Sequence, residues 1–83
     1  MKKKVALITG CSSGLGKNLC ALLFENGYEV IATARDVKKL DDVYANLKLE
    51  IDVSDEKSIN KAIDVAINHY EKIDILINNA GYS

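Results

Sequence analysis

Five residues with apolar side chains or a closing hydroxyl, Val5-Ala6-Leu7-Ile8-Thr9, run directly into Gly10-Cys11-Ser12-Ser13-Gly14-Leu15-Gly16. Leu15, Leu19, Leu22 and Leu23 then recur at helical spacing. A buried strand therefore passes through a glycine-rich turn into a helix. Glycine tolerates positive φ and lets another group approach the backbone closely. A helix start offers unpaired N–H groups and the positive end of its dipole. Strand, glycine turn and helix together form a seat for a phosphate, and a strand at residues 5–9 that is apolar up to its closing Thr9 belongs inside a parallel sheet.

The rest of the chain repeats that unit. Asn26-Gly27 closes the first helix, and residues 28–34 read as a second strand centred on Val30 and Ile31. Asp36 is placed to cap a short helix carrying Val37, Leu40, Val43 and Tyr44. Residues 47–51 give a third strand. Ser54 is expected to cap an amphipathic helix with Asp55 and Glu56 in its first turn and an apolar stripe of Ile59, Ala62, Ile63, Ala66, Ile67 and Tyr70. His69 and Lys72 sit at the C-terminal end of that helix, where cations are favoured, His69 being read as a solvated surface residue, and residues 73–78 form a fourth strand. The order βαβαβαβ predicts an α/β fold with helices on both faces of a parallel sheet, strand order 3-2-1-4. Ligands of such sheets bind beyond the carboxyl ends of the strands, where the strand order reverses. Gly10 to Gly16 and Asn78-Asn79-Ala80-Gly81 both fall at carboxyl ends, on the first and fourth strands.

Eighty-three residues make at most one domain. Eleven basic and twelve acidic residues give a net charge of −1 and no electrostatic case for nucleic acid. No apolar run approaches the ~20 residues of a membrane span. The apolar run after Lys2-Lys3-Lys4 ends at Thr9, short of the ~7–15 residues of a signal-peptide core, so the cytoplasm is the expected compartment. Cys11 and Cys20 have neither metal spacing nor a disulfide framework. Cys11 is read as a small filler of the turn.

The glycine spacing is T-G-x-x-x-G-x-G, not G-x-G-x-x-G. A nucleotide triphosphate loop, G-x-x-x-x-G-K-[ST], fails twice: Cys11 stands where its first glycine belongs and Asn18 where its Ser or Thr belongs. Lys17 is then a solvated helix residue. With Arg35 after strand two, Asp52-Val53 after strand three and Asn78-Asn79-Ala80-Gly81 after strand four, the whole chain resembles the classical short-chain dehydrogenase/reductase family. That resemblance implies a three-layer Rossmann-type half fold in which residues 1–83 are a truncated NAD(P)-binding domain. Gly10, Ser12, Ser13, Gly14, Leu15 and Gly16 would line the pyrophosphate and adenine ribose. Asp52 would accept from the adenine amino group with Val53 beside the ring. Asn79, Ala80 and Gly81 would face the nicotinamide ribose.

Ala34 stands where the family places an acid for the 2′-hydroxyl of NAD(H), and Arg35 follows it. The expected cofactor is NADP(H), with NAD(H) the alternative. Family catalysis uses a Ser, a Tyr and a Lys four residues beyond the Tyr, all after the Asn-Asn-Ala-Gly motif, where only Tyr82 and Ser83 follow here. Tyr44 and Lys48 match the Tyr-x-x-x-Lys spacing but precede Asp52. They are read as part of a helix's apolar face and a surface charge. The expectation is an oxidoreductase part that binds dinucleotide and is inactive alone. The other reading is a non-enzymatic nucleotide-binding or interaction module. In either, the edge at residues 73–78, little protected by Asp74, invites self-association or a complementary C-terminal half.

Overall fold

The computed structural model describes residues 3–80, so Gly81, Tyr82 and Ser83 lie outside the described residues. Four strands, β1 (Val5–Ile8), β2 (Glu29–Ala34), β3 (Leu47–Glu50) and β4 (Ile75–Ile77), form one parallel sheet in the order β3-β2-β1-β4. Helix α1 (Gly14–Glu25) follows β1, a single 3-10 turn (Val37–Leu40) follows β2, and α2 (Glu56–Tyr70) follows β3. The central register pairs Val5 with Glu29 on one side of β1 and Ala6 with Ile75 on the other. The expected class and strand order are those observed.

Alternation along the strands sends side chains into two cores. Ile8, Val30, Ala32 and Ala34 pack with Cys11 and Cys20 and with Leu23 of α1 on one face. Val5, Leu7 and Ile31 pack with Ala62 and Ala66 of α2 on the other, flanked by Ile59, Ile63 and Tyr70. Every residue of β1 is buried, as a strand covered on both faces requires.

Several local expectations give way to the structure. The helix after Asp36 is only one 3-10 turn, capped by the Asp36 carboxylate accepting from the Lys38 N–H at 3.0 Å. Val43 and Tyr44 fall in the loop beyond it. Val43 still reaches the core, but Tyr44 is 63% exposed and stacks on Phe24 at a ring separation of 6.0 Å. It belongs to no helical apolar face. Asp55, not Ser54, caps α2, accepting from Lys57 N–H at 3.0 Å. On α1 the inward residues are Gly16, Cys20 and Leu23, while Leu15 and Leu22 face outward. Ile67 is exposed, because the narrow sheet covers only part of the α2 stripe. Lys17 is paired with Asp42 at 2.5 Å across the α1 side of the sheet.

The ends of the elements are fixed by hydrogen bonds. Asn26 and Gly27 return their N–H groups to the last turn of α1, with Gly27 at φ +84°. Glu71 ends α2 in the left-handed region at φ 69°, its N–H bonded to the Ile67 carbonyl at 2.7 Å. Asp74 then clasps the start of β1. Its carboxylate accepts from the Val5 N–H at 2.7 Å and its own N–H donates to the Val5 carbonyl at 2.9 Å, with Lys72 at 3.0 Å. Asp74 is thus an inward clasp between β1 and β4 and does not guard the outer edge.

The Val5 N–H, and then Lys72, hold the Asp74 carboxyl below the usual carboxylate range. A depressed folded value stabilises the fold above the unfolded pKa, roughly 3.9, and that contribution disappears as pH falls through the folded value. Asp74→Asn is expected to lower stability at neutral pH and to flatten the fall in stability below about pH 4. Chemical denaturation at a series of pH values checks this; parallel acid limbs in the two proteins would contradict it.

Candidate functional site

The carboxyl ends of β1 and β4 meet through one hydroxyl. Thr9, buried and one residue past β1, donates through Oγ1 to Asn78 Oδ1 at 3.0 Å. The same oxygen accepts the N–H groups of Asn79 at 2.9 Å and Ala80 at 3.1 Å. One donor and two acceptor sites are all that a threonine hydroxyl has. Asn79 Nδ2 reaches the Gly10 carbonyl at 3.1 Å. The glycine loop is tied to β2 as well, through Cys11 N–H to the Thr33 carbonyl at 2.9 Å.

Three glycines have distinct tasks. Gly10 (φ +68°) and Gly14 (φ +61°) take the left-handed turn conformation. A Cβ on Gly10 would also fall 2.9 Å from the Ala80 Cα, whereas one on Gly14 would meet nothing within 4 Å. Gly16 is helical and buried; a Cβ there would fall 2.2 Å from the Gly10 carbonyl oxygen. It is the point where α1 rests on the loop. Ser13 is the N-cap residue but makes no side-chain capping bond, and the first-turn N–H groups of a helix have no intrahelical partner.

An open crevice of about 890 Å³ lies above these turns. Of the residues singled out in the sequence, Gly10, Ser12, Ser13, Gly14, Leu15, Arg35, Asp52, Val53, Asn79 and Ala80 all line it. Gly16 lies beneath it as packing, and Gly81 is outside the described residues. Tyr44 and Lys48 are not among its lining residues. Lys39 is, four residues after Arg35 across the single 3-10 turn. Sequence reading missed Lys39; its i+4 spacing from Arg35 was the available signal.

Asp52 sits at the β3 end of the crevice. Its Oδ1 accepts the Ser54 hydroxyl at 2.6 Å and the Ser54 N–H at 3.0 Å. These bonds, and then the charge of Arg35, keep its carboxyl below the ordinary range. Ser54 therefore serves Asp52 where a cap of α2 was expected. Beneath the glycine loop, both buried and outside the crevice lining, Cys20 Sγ donates to Cys11 Sγ at 3.3 Å. That bond lowers the Cys11 thiol against the opposing effect of burial, while the same partnership and burial push Cys20 up.

Residues 4–83 match the family described as short chain dehydrogenase, and the chain belongs to it. A Haemophilus influenzae protein named "Probable NADP-dependent dehydrogenase" is 35% identical over 86 residues, covering 98% of this chain and 34% of its own. The 3-ketoacyl-(acyl-carrier-protein) reductase of Brucella melitensis, solved with NADH, superposes with TM-score 0.81 at 32% identity, over 88% of this chain and 32% of that one. A metagenomic short-chain oxidoreductase in complex with NADP gives TM-score 0.83 at 30% identity, over 93% and 38%. The chain spans about a third of the length of the relatives it matches. Among the described residues no helix is long and apolar enough to cross a membrane.

Gly16→Ala is expected to dislodge α1 from the loop at a cost of about 3 kcal/mol, the upper end of the range for overpacked cores. Gly14→Ala has space for the methyl and bears only the left-handed penalty of about 1–2 kcal/mol. Thermal melts of the two variants check the ranking; an equal or greater loss at Gly14 would contradict it.

Proposed function

We propose that residues 1–83 are the dinucleotide-holding part of a short-chain oxidoreductase that prefers NADP(H) to NAD(H). The observation carrying the reading is the chemistry at the β2 end of the crevice. Ala34 offers no carboxylate there, and Arg35, Lys39 and Ser12 of the glycine loop all line the crevice. An arginine in that position suits a 2′-phosphate. The Asp36 carboxylate, the nearby acid, is engaged at Lys38 N–H. The relatives support the broader cofactor class, since those solved with a ligand hold NADH, NADP or NADPH.

In this reading the glycine loop and the start of α1 receive the pyrophosphate, as residues 10 and 12–16 suggest. Asp52 and Val53 hold the adenine, and Asn79, Ala80 and Gly81 the nicotinamide ribose. The bound nicotinamide supplies hydride chemistry; the residues of this segment bind and orient it. The acid–base groups come from chain beyond residue 79, in keeping with relatives about three times as long. By itself the segment binds cofactor without turning over substrate. The β4 edge, with Leu76 61% exposed, is where further chain or a second copy adds.

Fluorescence titration of the full-length protein is expected to give tighter binding of NADPH than of NADH. Arg35→Ala removes a charge-assisted contact of about 1.5–3 kcal/mol, a loss of roughly 10- to 100-fold for NADPH and little for NADH. Equal or tighter binding of NADH by the unaltered protein would overturn the preference.

A further inference from the structure

Two thiols are left over by the cofactor reading, and they touch. Cys11 is in the glycine loop and Cys20 is nine residues on, within α1; both are fully buried. Their sulfurs are 3.3 Å apart, and Cys11 Sγ also donates to the Ile8 carbonyl at 3.1 Å. A disulfide needs about 2.05 Å, so the pair is a little over an ångström from bonding. Gly10 and Ser12, on either side of Cys11, line the crevice, which puts this sulfur one layer below an open surface.

We propose that Cys11 and Cys20 are a reversible oxidation site, closing to a disulfide under the glycine loop when a peroxide reaches them. The Cys11 thiolate attacks one peroxide oxygen and the O–O bond breaks, giving a sulfenic acid and, after protonation by the released proton, water. The Cys20 sulfur then attacks the Cys11 sulfur. The S–S bond forms, the S–O bond breaks, and a second water leaves with the Cys20 proton. Two thiols lose two electrons and one hydrogen peroxide becomes two waters. A resolving thiol already in contact is the arrangement that diverts a sulfenic acid to a disulfide before further oxidation. The Cys20 S–H directed at Cys11 also favours the thiolate on the loop cysteine.

Closing the gap by movement of Cys11 moves the loop with it. Gly10 and Gly16 are packed too tightly to admit a methyl group, so a shift of an ångström at Cys11 is passed on to the loop backbone and to Ala80. A disulfide formed under such constraint is strained and readily reduced. If this loop holds the pyrophosphate, which rests on the function proposed above, oxidation weakens dinucleotide binding, and bound dinucleotide shifts the dithiol–disulfide equilibrium toward the thiols by the same factor.

The test treats the full-length protein with hydrogen peroxide and then alkylates it with iodoacetamide in denaturant. Peptide mass spectrometry is expected to find residues 11 and 20 cross-linked with loss of two hydrogens, and free again after dithiothreitol. NADPH affinity is expected to fall about tenfold on oxidation, to recover with dithiothreitol, and to be unaffected by peroxide in Cys11→Ser, which lacks the attacking thiol. Full alkylation of both cysteines after peroxide, or a sulfinic acid at Cys11 with no cross-link, overturns the proposal. A cross-link with unchanged NADPH affinity overturns its effect on the loop. Reduced protein that binds no dinucleotide counts against the cofactor reading alone, because the cross-link is read by mass.

Discussion

Helix α1 can rest on the end of β1 only because Gly16 has no Cβ. The Gly10 carbonyl oxygen occupies the space a side chain would take, and this one close approach sets the position of the loop between them. It aims the first turn of α1 at the crevice and brings Gly10 against Ala80, so the strand-one and strand-four sides of the site share a wall. The Thr9 hydroxyl completes the arrangement from below with three hydrogen bonds. A missing methylene and a saturated hydroxyl thus settle a geometry that no single apolar contact could define, since hydrophobic burial has no direction.

Charge is distributed along the crevice in keeping with a ligand of mixed character. Arg35 and Lys39 stand at the β2 end, and Asp52, held in place by Ser54, at the β3 end. The middle is backbone and small hydroxyls. Most of the polarity comes from groups whose positions are fixed by secondary structure, so little side-chain entropy is lost when a ligand arrives.

The sheet order and the placement of most residues lining the crevice were legible in the sequence, though Asp36, Lys39, Ile51 and Ser54 were not assigned to it. Strand-to-glycine-to-helix transitions are local, and parallel sheets bring strand ends together by topology alone. What escaped depended on competition between neighbours. Ser54 and Asp55 are both good caps; Asp52 draws Ser54 away, and Asp55 takes the helix. The expected helix after Asp36 stops at Leu40 because Val43 must turn inward to the core while Tyr44 remains outside on Phe24. The outward turn of Leu15 and Leu22 was hidden because helical spacing marks a stripe without saying which edge of it the sheet covers. The contact of Cys11 with Cys20 was invisible for a different reason. It requires knowing that the loop folds back over the second turn of α1, which follows from Gly16 and not from cysteine spacing.

The pairing of β4 with β1 joins residues 69 apart in the chain, whereas β1 with β2 joins residues 24 apart. The larger loop carries about 1 kcal/mol more closure entropy. Contacts of that span are the ones a folding chain is slow to gain. The Asn79 and Ala80 wall exists only once β4 has docked, through Asp74 at one end of β1 and Thr9 at the other. The crevice therefore depends on the longest-range pairing of the sheet, and any ligand gripping both walls stabilises that pairing by mass action.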